Sequence, residues 1–164
     1  MATVQKITPC LWFDTEAQEA AEFYVSVFKD SRILRVLHYT DAGYEIHGKA
    51  PGTVLTVEFE ISGQRFTALN GGPHFKFSEA ISLEILCETQ QEIDYYWEKL
   101  SEGGEEGNCG WLKDRYGLSW QITPILLGDM LSHPDEDKCM RVTDAFLQMK
   151  RLDLGELVKA FEGE

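Results

Sequence analysis

The chain has 164 residues, of which 28 are acidic and 15 are basic, so its formal net charge is −13. This length fits one domain, or two small halves that share a core. The negative charge argues against a nucleic-acid partner and against an anionic membrane surface, because both need a basic face. Hydrophobic residues make up 43% of the chain, which is enough apolar material for a core and argues against global disorder.

The sequence lacks the usual marks of secretion. The segment Met1 to Lys6 has no apolar stretch of a secretory signal, and no apolar run approaches the roughly 18 residues of a membrane helix. The cysteines are widely spaced without a C-x-x-C pair, which argues against a zinc knuckle. They are Cys10, Cys87, Cys109 and Cys139. We therefore expect reduced thiols and a cytoplasmic protein.

The first half of the chain has the pattern of one helix followed by a sheet. Ile7 to Phe13 is short and rich in β-formers, which predicts a strand. Thr15 to Gln18 fits a capping box, and apolar residues at helical spacing follow as far as Phe28. Further strands are predicted at Arg32 to Tyr39, Val54 to Ile61 and Gln64 to Asn70.

The same order of elements begins again after the break at Gly71 to His74. A strand is predicted at Ile81 to Cys87, and Thr89 to Glu92 is a second capping box. A strand pair follows at Trp111 to Lys113 and Leu118 to Thr123. We infer an internal βαβββ repeat, with the first repeat at residues 1–72 and the second at 73–124.

Residues 125–164 have a helical composition. Ile125 to Leu131 is a short candidate helix, an amphipathic helix ends near Met149, and Asp153 can cap a last one. We expect these helices to cover the sheet or a partner chain, and we expect all three regions to form one compact domain.

Several stretches carry a resemblance to a known family. They are Ile7 to Phe13, Ala20 to Phe28, Phe66 to Gly72, Phe75 to Ser82 and Cys109 to Ile122. In these the chain resembles the PhnB-like family of the vicinal-oxygen-chelate superfamily, to which glyoxalase I, extradiol dioxygenases and bleomycin-resistance proteins belong. The resemblance implies an α+β fold of tandem βαβββ repeats, here with a C-terminal helical segment, and a homodimer.

The resemblance also implies where a metal would bind. In metal-using members each repeat supplies one ligand from its first strand and one from its last. The corresponding positions here are Thr8, Ser82 and Gln121, with a fourth within Ala68 to Asn70. Hydroxyl and amide oxygens suit a divalent transition ion less well than imidazole or carboxylate, so we predict no metal and no other cofactor.

Three functions are compared on this basis. The first is metal-free binding of a small molecule. The second is a metal-dependent lyase, isomerase or dioxygenase, which would need Glu84 because that residue shares the Ser82 face of its strand. The third is methyl transfer, since the family is often labelled 3-demethylubiquinone 3-methyltransferase. It is disfavoured because no glycine-rich loop follows the first strand. Whether the protein is an enzyme stays open.

The expected ligand site combines aromatic walls with a few orienting polar groups. Trp12 would supply a wall, Thr8 and Gln121 the hydrogen bonds, and His74 would fold over the pocket between Phe75 and Phe77. The candidate residues are Thr8, Trp12, Asn70, His74, Ser82, Glu84, Trp120 and Gln121. Each has a structural alternative, because tryptophans are common in cores and Glu84 would equally suit an ion pair.

Overall fold

The computed structural model describes residues 5–164, and the chain divides into two compact units. The first unit ends at Lys76, and the second runs from Phe77 to Glu164. Residues 1–4, the larger part of the segment considered for a secretory signal, lie outside the described residues.

The first unit contains one four-stranded sheet and one long helix. Its elements in chain order are β1 (Cys10–Phe13), α1 (Ala17–Val27), β2 (Arg32–His38), α2 (Tyr44–His47), β3 (Val54–Ile61) and β4 (Gln64–Asn70). The strand order is β1-β4-β3-β2, in which β1 runs parallel to β4 and the other pairs are antiparallel. The sequence predicts the strands, but not the short helix α2.

Helix α1 covers one face of this sheet because strand residues alternate between the two faces. Val57, Phe59 and Ile61 of β3 point to the helix and are buried. The Tyr24 ring of α1 stacks on Phe59 with 6.0 Å between ring centroids. The opposite side, which we call the open face of the first sheet, carries Trp12, Thr56, Glu58, Thr67 and Leu69.

The start of α1 corrects the prediction of a capping box at Thr15 to Gln18. Glu16 is the N-cap residue, and its side chain makes no capping bond. Instead the amide N–H of Ala17 donates to Oδ1 of Asn70 at 2.8 Å. The parallel pairing of β1 with β4 places Phe13 opposite Asn70. The end of β4 therefore lies beside the start of α1, where the Asn70 side chain takes the place of a local capping residue.

The second unit repeats this topology and adds three helices. Its elements are β5 (Ser82–Cys87), α3 (Gln90–Ser101), β6 (Glu105–Glu106), β7 (Trp111–Lys113), β8 (Ser119–Pro124), α4 (Ile125–Leu131), α5 (Glu136–Leu147) and α6 (Leu154–Glu162). The strand order is β5-β8-β7-β6, with β5 parallel to β8. The predicted tandem βαβββ pattern with C-terminal helices is therefore confirmed. The connection between α3 and β7 contains the short strand β6.

Helix α3 begins at the second predicted capping box. The hydroxyl of Thr89 accepts from the amide N–H of Glu92 at 3.2 Å, and the Glu92 carboxylate accepts from the N–H of Glu88 at 2.8 Å. The apolar face of the helix packs on β7 and β8, where Trp120 and Ile122 are buried. This helix start is encoded within a few residues, unlike that of α1.

The C-terminal helices belong to the second unit. Their own small core consists of Leu127, Met130, Val142, Leu152 and Leu157. Asp153 caps α6 as predicted, because its carboxylate accepts from the N–H of Glu156 at 3.0 Å. The side chain of Gln90 at the start of α3 bonds to the backbone of Leu152 and Leu154. None of the helices within residues 5–164 is long and apolar enough to cross a membrane.

Candidate functional site

An aromatic wall stands at the carboxyl ends of β1 and β4 in the first unit. The indole N–H of Trp12 donates to the carbonyl of Gly72 at 2.8 Å, and the Phe75 ring meets the indole edge-on at 4.9 Å between centroids. A side chain at Gly71 would overlap the indole ring, so a glycine is required there. The predicted aromatic residue is thus fixed against a glycine turn.

Two basic side chains approach the same turn. His74 is exposed, and its Nε2 lies 4.0 Å from the position that a Cβ at Gly72 would take. Nζ of Lys49 lies 3.7 Å from that position. Lys49 was not among the residues selected from the sequence. It comes from the loop between α2 and β3, so no local pattern marks it.

Asn70 lies on the helix-covered side of β4 rather than with Trp12. Its Oδ1 accepts from Ala17, and its Nδ2 donates to the carbonyl of Val54 at 3.1 Å. Its side chain is buried, and its own carbonyl accepts from the hydroxyl of Tyr39 at 2.8 Å. The oxygen and the nitrogen of the Asn70 amide, which was predicted to contact a ligand, are thus both hydrogen-bonded within the protein.

Thr8 is exposed and precedes β1. Its hydroxyl accepts from the Gln5 side chain at 3.4 Å, and it lines a cavity of about 170 Å³ together with Glu58 and Arg65. Burial raises the pKa of the neighbouring Cys10 thiol, so this thiol is neutral at pH 7 and a poor nucleophile. Thr8 precedes β1 and Trp12 lies near its end, so the structure does not bring these two candidates together.

In the second unit, one face of the sheet carries Ser82, Glu84, Trp111, Ser119 and Gln121, and we call it the open face of the second sheet. The Gln121 amide and the Ser82 hydroxyl lie at its centre. Nε2 of Gln121 donates to the Ser82 hydroxyl at 2.9 Å. Glu84 is exposed and stands opposite Gln121 in the parallel register. The structure thus brings together the three polar candidates of the second repeat.

Ser119 is a further polar residue of this face, which strand alternation groups with Gln121. It is only 1% exposed, and its Oγ has no hydrogen-bond partner among residues 5–164. Lys113 is opposite Ser119 in register, and its ammonium pairs with Glu79 at 2.5 Å. This ion pair raises the pKa of Lys113 and lowers that of Glu79, so both groups are charged at neutral pH.

Trp120 lies on the helix-covered side of β8, away from Gln121. It is 2% exposed, and its indole N–H donates to Oδ2 of Asp114 at 2.8 Å. Oδ1 of Asp114 also accepts from the amides of Tyr116 and Leu118. The D-x-x-G pattern from Asp114 to Gly117 is a turn signal that indicates this role of the aspartate.

The donor set at the expected metal positions does not fit a divalent transition ion. Ser82 and Gln121 are bonded to each other, and the Asn70 amide is bonded to backbone. Ala68 has no donor in its side chain, and Leu69, which is opposite Trp12 on the open face, is alkyl. Within residues 5–164, no three His, Cys, Asp or Glu side chains gather as a metal site would require.

The fold defines the class of this protein. Two sheets of identical strand order, each built as βαβββ, are the glyoxalase/bleomycin-resistance-like fold of the vicinal-oxygen-chelate superfamily. The family model for 3-demethylubiquinone-9 3-methyltransferase matches residues 5–123. The chain belongs to this family, the PhnB-like family.

Solved structures agree with this assignment. A PhnB protein from Bacillus cereus is 36% identical, with a TM-score of 0.65 over 73% of this chain and 99% of the other. A Pseudomonas aeruginosa protein has 17% identity and a TM-score of 0.60 over 74% and 98% of the two chains. The fosfomycin resistance protein FosX from Mesorhizobium loti has 12% identity and a TM-score of 0.51 over 80% and 100%, which supports the fold alone. No curated protein matches the chain.

Proposed function

We propose that this protein binds a small molecule through neutral hydrogen-bonding groups on the open face of the second sheet, without a divalent metal. The observation that carries the proposal is the bond from Gln121 to Ser82. It fixes the rotamer of the amide. Oε1 of Gln121 accepts no hydrogen bond from any described residue, so the amide keeps an acceptor for a ligand.

The neighbours of Gln121 suit such a ligand. Trp111 is opposite Gln121 on the adjacent strand and is half-buried, so it can contact an apolar part of the molecule. Glu84 on the other side supplies an exposed carboxylate. A few fixed polar groups beside an aromatic side chain are typical of small-molecule sites.

Glu84 is also the one observation that favours the second candidate, a metal-dependent enzyme. It places a carboxylate on the same face as Ser82 and Gln121. Methyl transfer has no such support. The residues after β1 are Asp14, Thr15 and Glu16, without the glycine-rich turn that holds a nucleotide-like cofactor in other folds.

A binding experiment with a matched control tests the proposal. A fragment library of amides, carboxylates and phenols is screened by thermal shift, and the hits are measured by calorimetry before and after EDTA treatment. We expect hits whose affinity is unchanged by EDTA and falls about tenfold in Gln121→Ala. Gln91→Ala, which changes an exposed glutamine of α3, should leave the affinity unchanged.

Metal analysis tests whether the protein binds a divalent metal instead. Protein purified without chelator is analysed for metals and then titrated with Mn, Fe, Ni and Zn. Stoichiometric binding that Glu84→Ala abolishes would overturn the metal-free proposal. A rise in melting temperature with excess S-adenosylmethionine would restore methyl transfer, because a ligand at 100 times its Kd stabilises by about 2.7 kcal/mol.

The proposal includes a cytoplasmic homodimer. Leu126 of α4 and Met140 of α5 are 45% and 57% exposed, and an apolar surface of this kind suits a second copy of the chain. The cysteines of the described residues are all free thiols, which suits a reducing compartment. Solution scattering at micromolar concentration tests the dimer, and a monomeric mass would contradict it.

A further inference from the structure

Lys49 differs from the other lysines of the chain. It is half-buried, and it forms no ion pair with any residue in the described range 5–164. The half-buried lysines Lys113 and Lys138 each have a carboxylate partner. The unpaired lysines other than Lys49 are all exposed, namely Lys6, Lys29, Lys76, Lys99 and Lys150. A partly desolvated ammonium without a counter-charge is unfavourable, so an anionic ligand beside it would be stabilising.

The ammonium of Lys49 lies at the glycine turn that follows β4. Its Nζ and the Nε2 of His74 both approach Gly72, which has a positive φ of 96°. The turn itself is held in place, since Gly71 donates to the carbonyl of Phe13 at 3.0 Å and Trp12 donates to the carbonyl of Gly72. The two nitrogen-bearing side chains therefore flank a fixed backbone segment.

No carboxylate of the described residues forms an ion pair with Lys49. Lys49 lines a cavity of about 660 Å³ that Glu19 and Glu22 of α1 also line. The Glu22 carboxylate accepts from the Gln18 side chain at 2.8 Å. The carboxylates of Glu19 and Glu22 would repel an anion inside this cavity. An anion is therefore favoured where the Lys49 ammonium approaches Gly72, a residue that does not line the cavity.

We propose that this end of the first sheet binds the oxyanion of a small molecule, either a carboxylate or a phosphate group. Lys49 pairs with the oxyanion, His74 contributes a second N–H donor, and the Trp12–Phe75 wall contacts an aromatic or apolar remainder. This site belongs to the first unit and is separate from the site proposed on the second sheet. Lys49 is the residue that determines the specificity.

Three probes that share a phenyl ring separate the effect of charge from that of the ring. Benzoate and phenyl phosphate carry the two oxyanions, and benzamide is the neutral analogue of benzoate. Binding is followed by the indole N–H signal of Trp12 in two-dimensional NMR, which Trp12→Phe assigns by its loss. We expect at least one of the two anions to shift this signal and to bind about tenfold more tightly than benzamide.

Lys49→Met should weaken the anion about tenfold and leave benzamide unchanged. Lys29→Met is the matched control, because it removes an exposed lysine of the same unit, and it should change nothing. Circular dichroism and melting temperature establish that both variants are folded. Whichever anion binds more tightly identifies the oxyanion as carboxylate or phosphate.

Equal affinities for benzoate and benzamide, unchanged in Lys49→Met, would overturn the anion inference and leave the proposed function in place. A Trp12 signal that none of the probes shifts at about 10 mM would also overturn it. The Gln121 experiment stays independent, because it concerns a residue of the other unit.

Discussion

Helix α1 of the first unit is capped from a distance, whereas helix α3 of the second unit is capped by its own residues. Asn70, which caps α1, is 53 residues away from Ala17 in the chain. Thr89, which caps α3, is three residues before Glu92. Both devices satisfy a free amide at the helix start. The comparison shows that two copies of one topology can meet the same physical need with unrelated residues.

The hairpins of the two units are also stabilised differently. Ser62 and Gly63 join β3 to β4 with positive φ values of 47° and 79°, as a tight two-residue turn requires. The longer connection from β7 to β8 is instead held by the buried carboxylate of Asp114. The first turn relies on backbone conformation and the second on a side chain.

The open faces also diverge. Ion pairs cross the first sheet, between Arg35 and Glu58 and between Arg32 and Glu60, the latter at 3.0 Å. The second sheet has the neutral pair of Ser82 and Gln121 at its centre. This difference underlies the two proposals, because the neutral Ser82–Gln121 pair suits a hydrogen-bonded ligand and the Lys49 end of the first unit suits an anion.

The largest expected effect is at Asp114, the side chain that holds the second hairpin. Asp114→Ala leaves the indole N–H of Trp120 and two backbone amides without their acceptor. We expect the free energy of unfolding to fall by about 3 kcal/mol, measured by urea denaturation. Asp144→Ala, at an exposed position of α5, is the control and should have little effect. A small loss in Asp114→Ala would show that the turn is stable without the carboxylate.

The next effect concerns the long-range cap of the first unit. Asn70→Ala removes the acceptor for the Ala17 amide and the donor to the Val54 carbonyl. A loss of about 2 kcal/mol is expected in the same denaturation experiment. Asn108→Ala, which changes an exposed asparagine, serves as the matched control. Similar stability in both variants would mean that water replaces the cap.

The two predicted capping boxes give a sharper contrast. Thr89→Ala removes a formed cap and should cost about 1 kcal/mol. Thr15→Ala should cost less than about 0.5 kcal/mol, because Thr15 is not the N-cap residue of α1. The amide N–H of Ala17 at the helix start donates to Asn70 instead. Thermal unfolding of the pair checks the difference. Equal losses would indicate that Thr15 caps α1 in solution.

The smallest effect is expected at the charged open face of the first sheet. Arg35 pairs with Glu58 across two strands, and its side chain is largely exposed. Arg35→Ala should therefore lower the free energy of unfolding by about 0.5 kcal/mol, and added salt should reduce that difference. Denaturation at low and high ionic strength measures both effects. A loss that salt does not change would point to packing rather than charge.

Much of the fold was predictable from local patterns. Alternation in Val54–Ile61 predicted β3, and Asp153 predicted the start of α6. The Thr15 box was wrong for a physical reason. A capping motif shows that the Thr15 hydroxyl could accept a hydrogen bond at the helix start. It does not show whether a residue distant in the chain accepts from an amide there, as Asn70 does from Ala17.

The site was predicted in part. Strand periodicity placed Ser82 and Glu84 on one face, and the family resemblance added Gln121; the structure puts all three on the same face of the sheet. Asn70 and Trp120 were selected as ligand contacts, and the structure buries them on the helix-covered sides of β4 and β8. Lys49 was not predicted, because its position beside Gly72 depends on how a loop returns to the sheet.

The sequence by itself determined the repeat, the main strands and the longer helices, because hydrophobic periodicity acts within a few residues. Tertiary structure decided which side chains meet across long separations, such as Asn70 with Ala17, Gln121 with Ser82, and Lys49 with the Gly72 turn. These contacts depend on strand register and loop path. Both follow from packing of the whole unit rather than from the residues around each side chain.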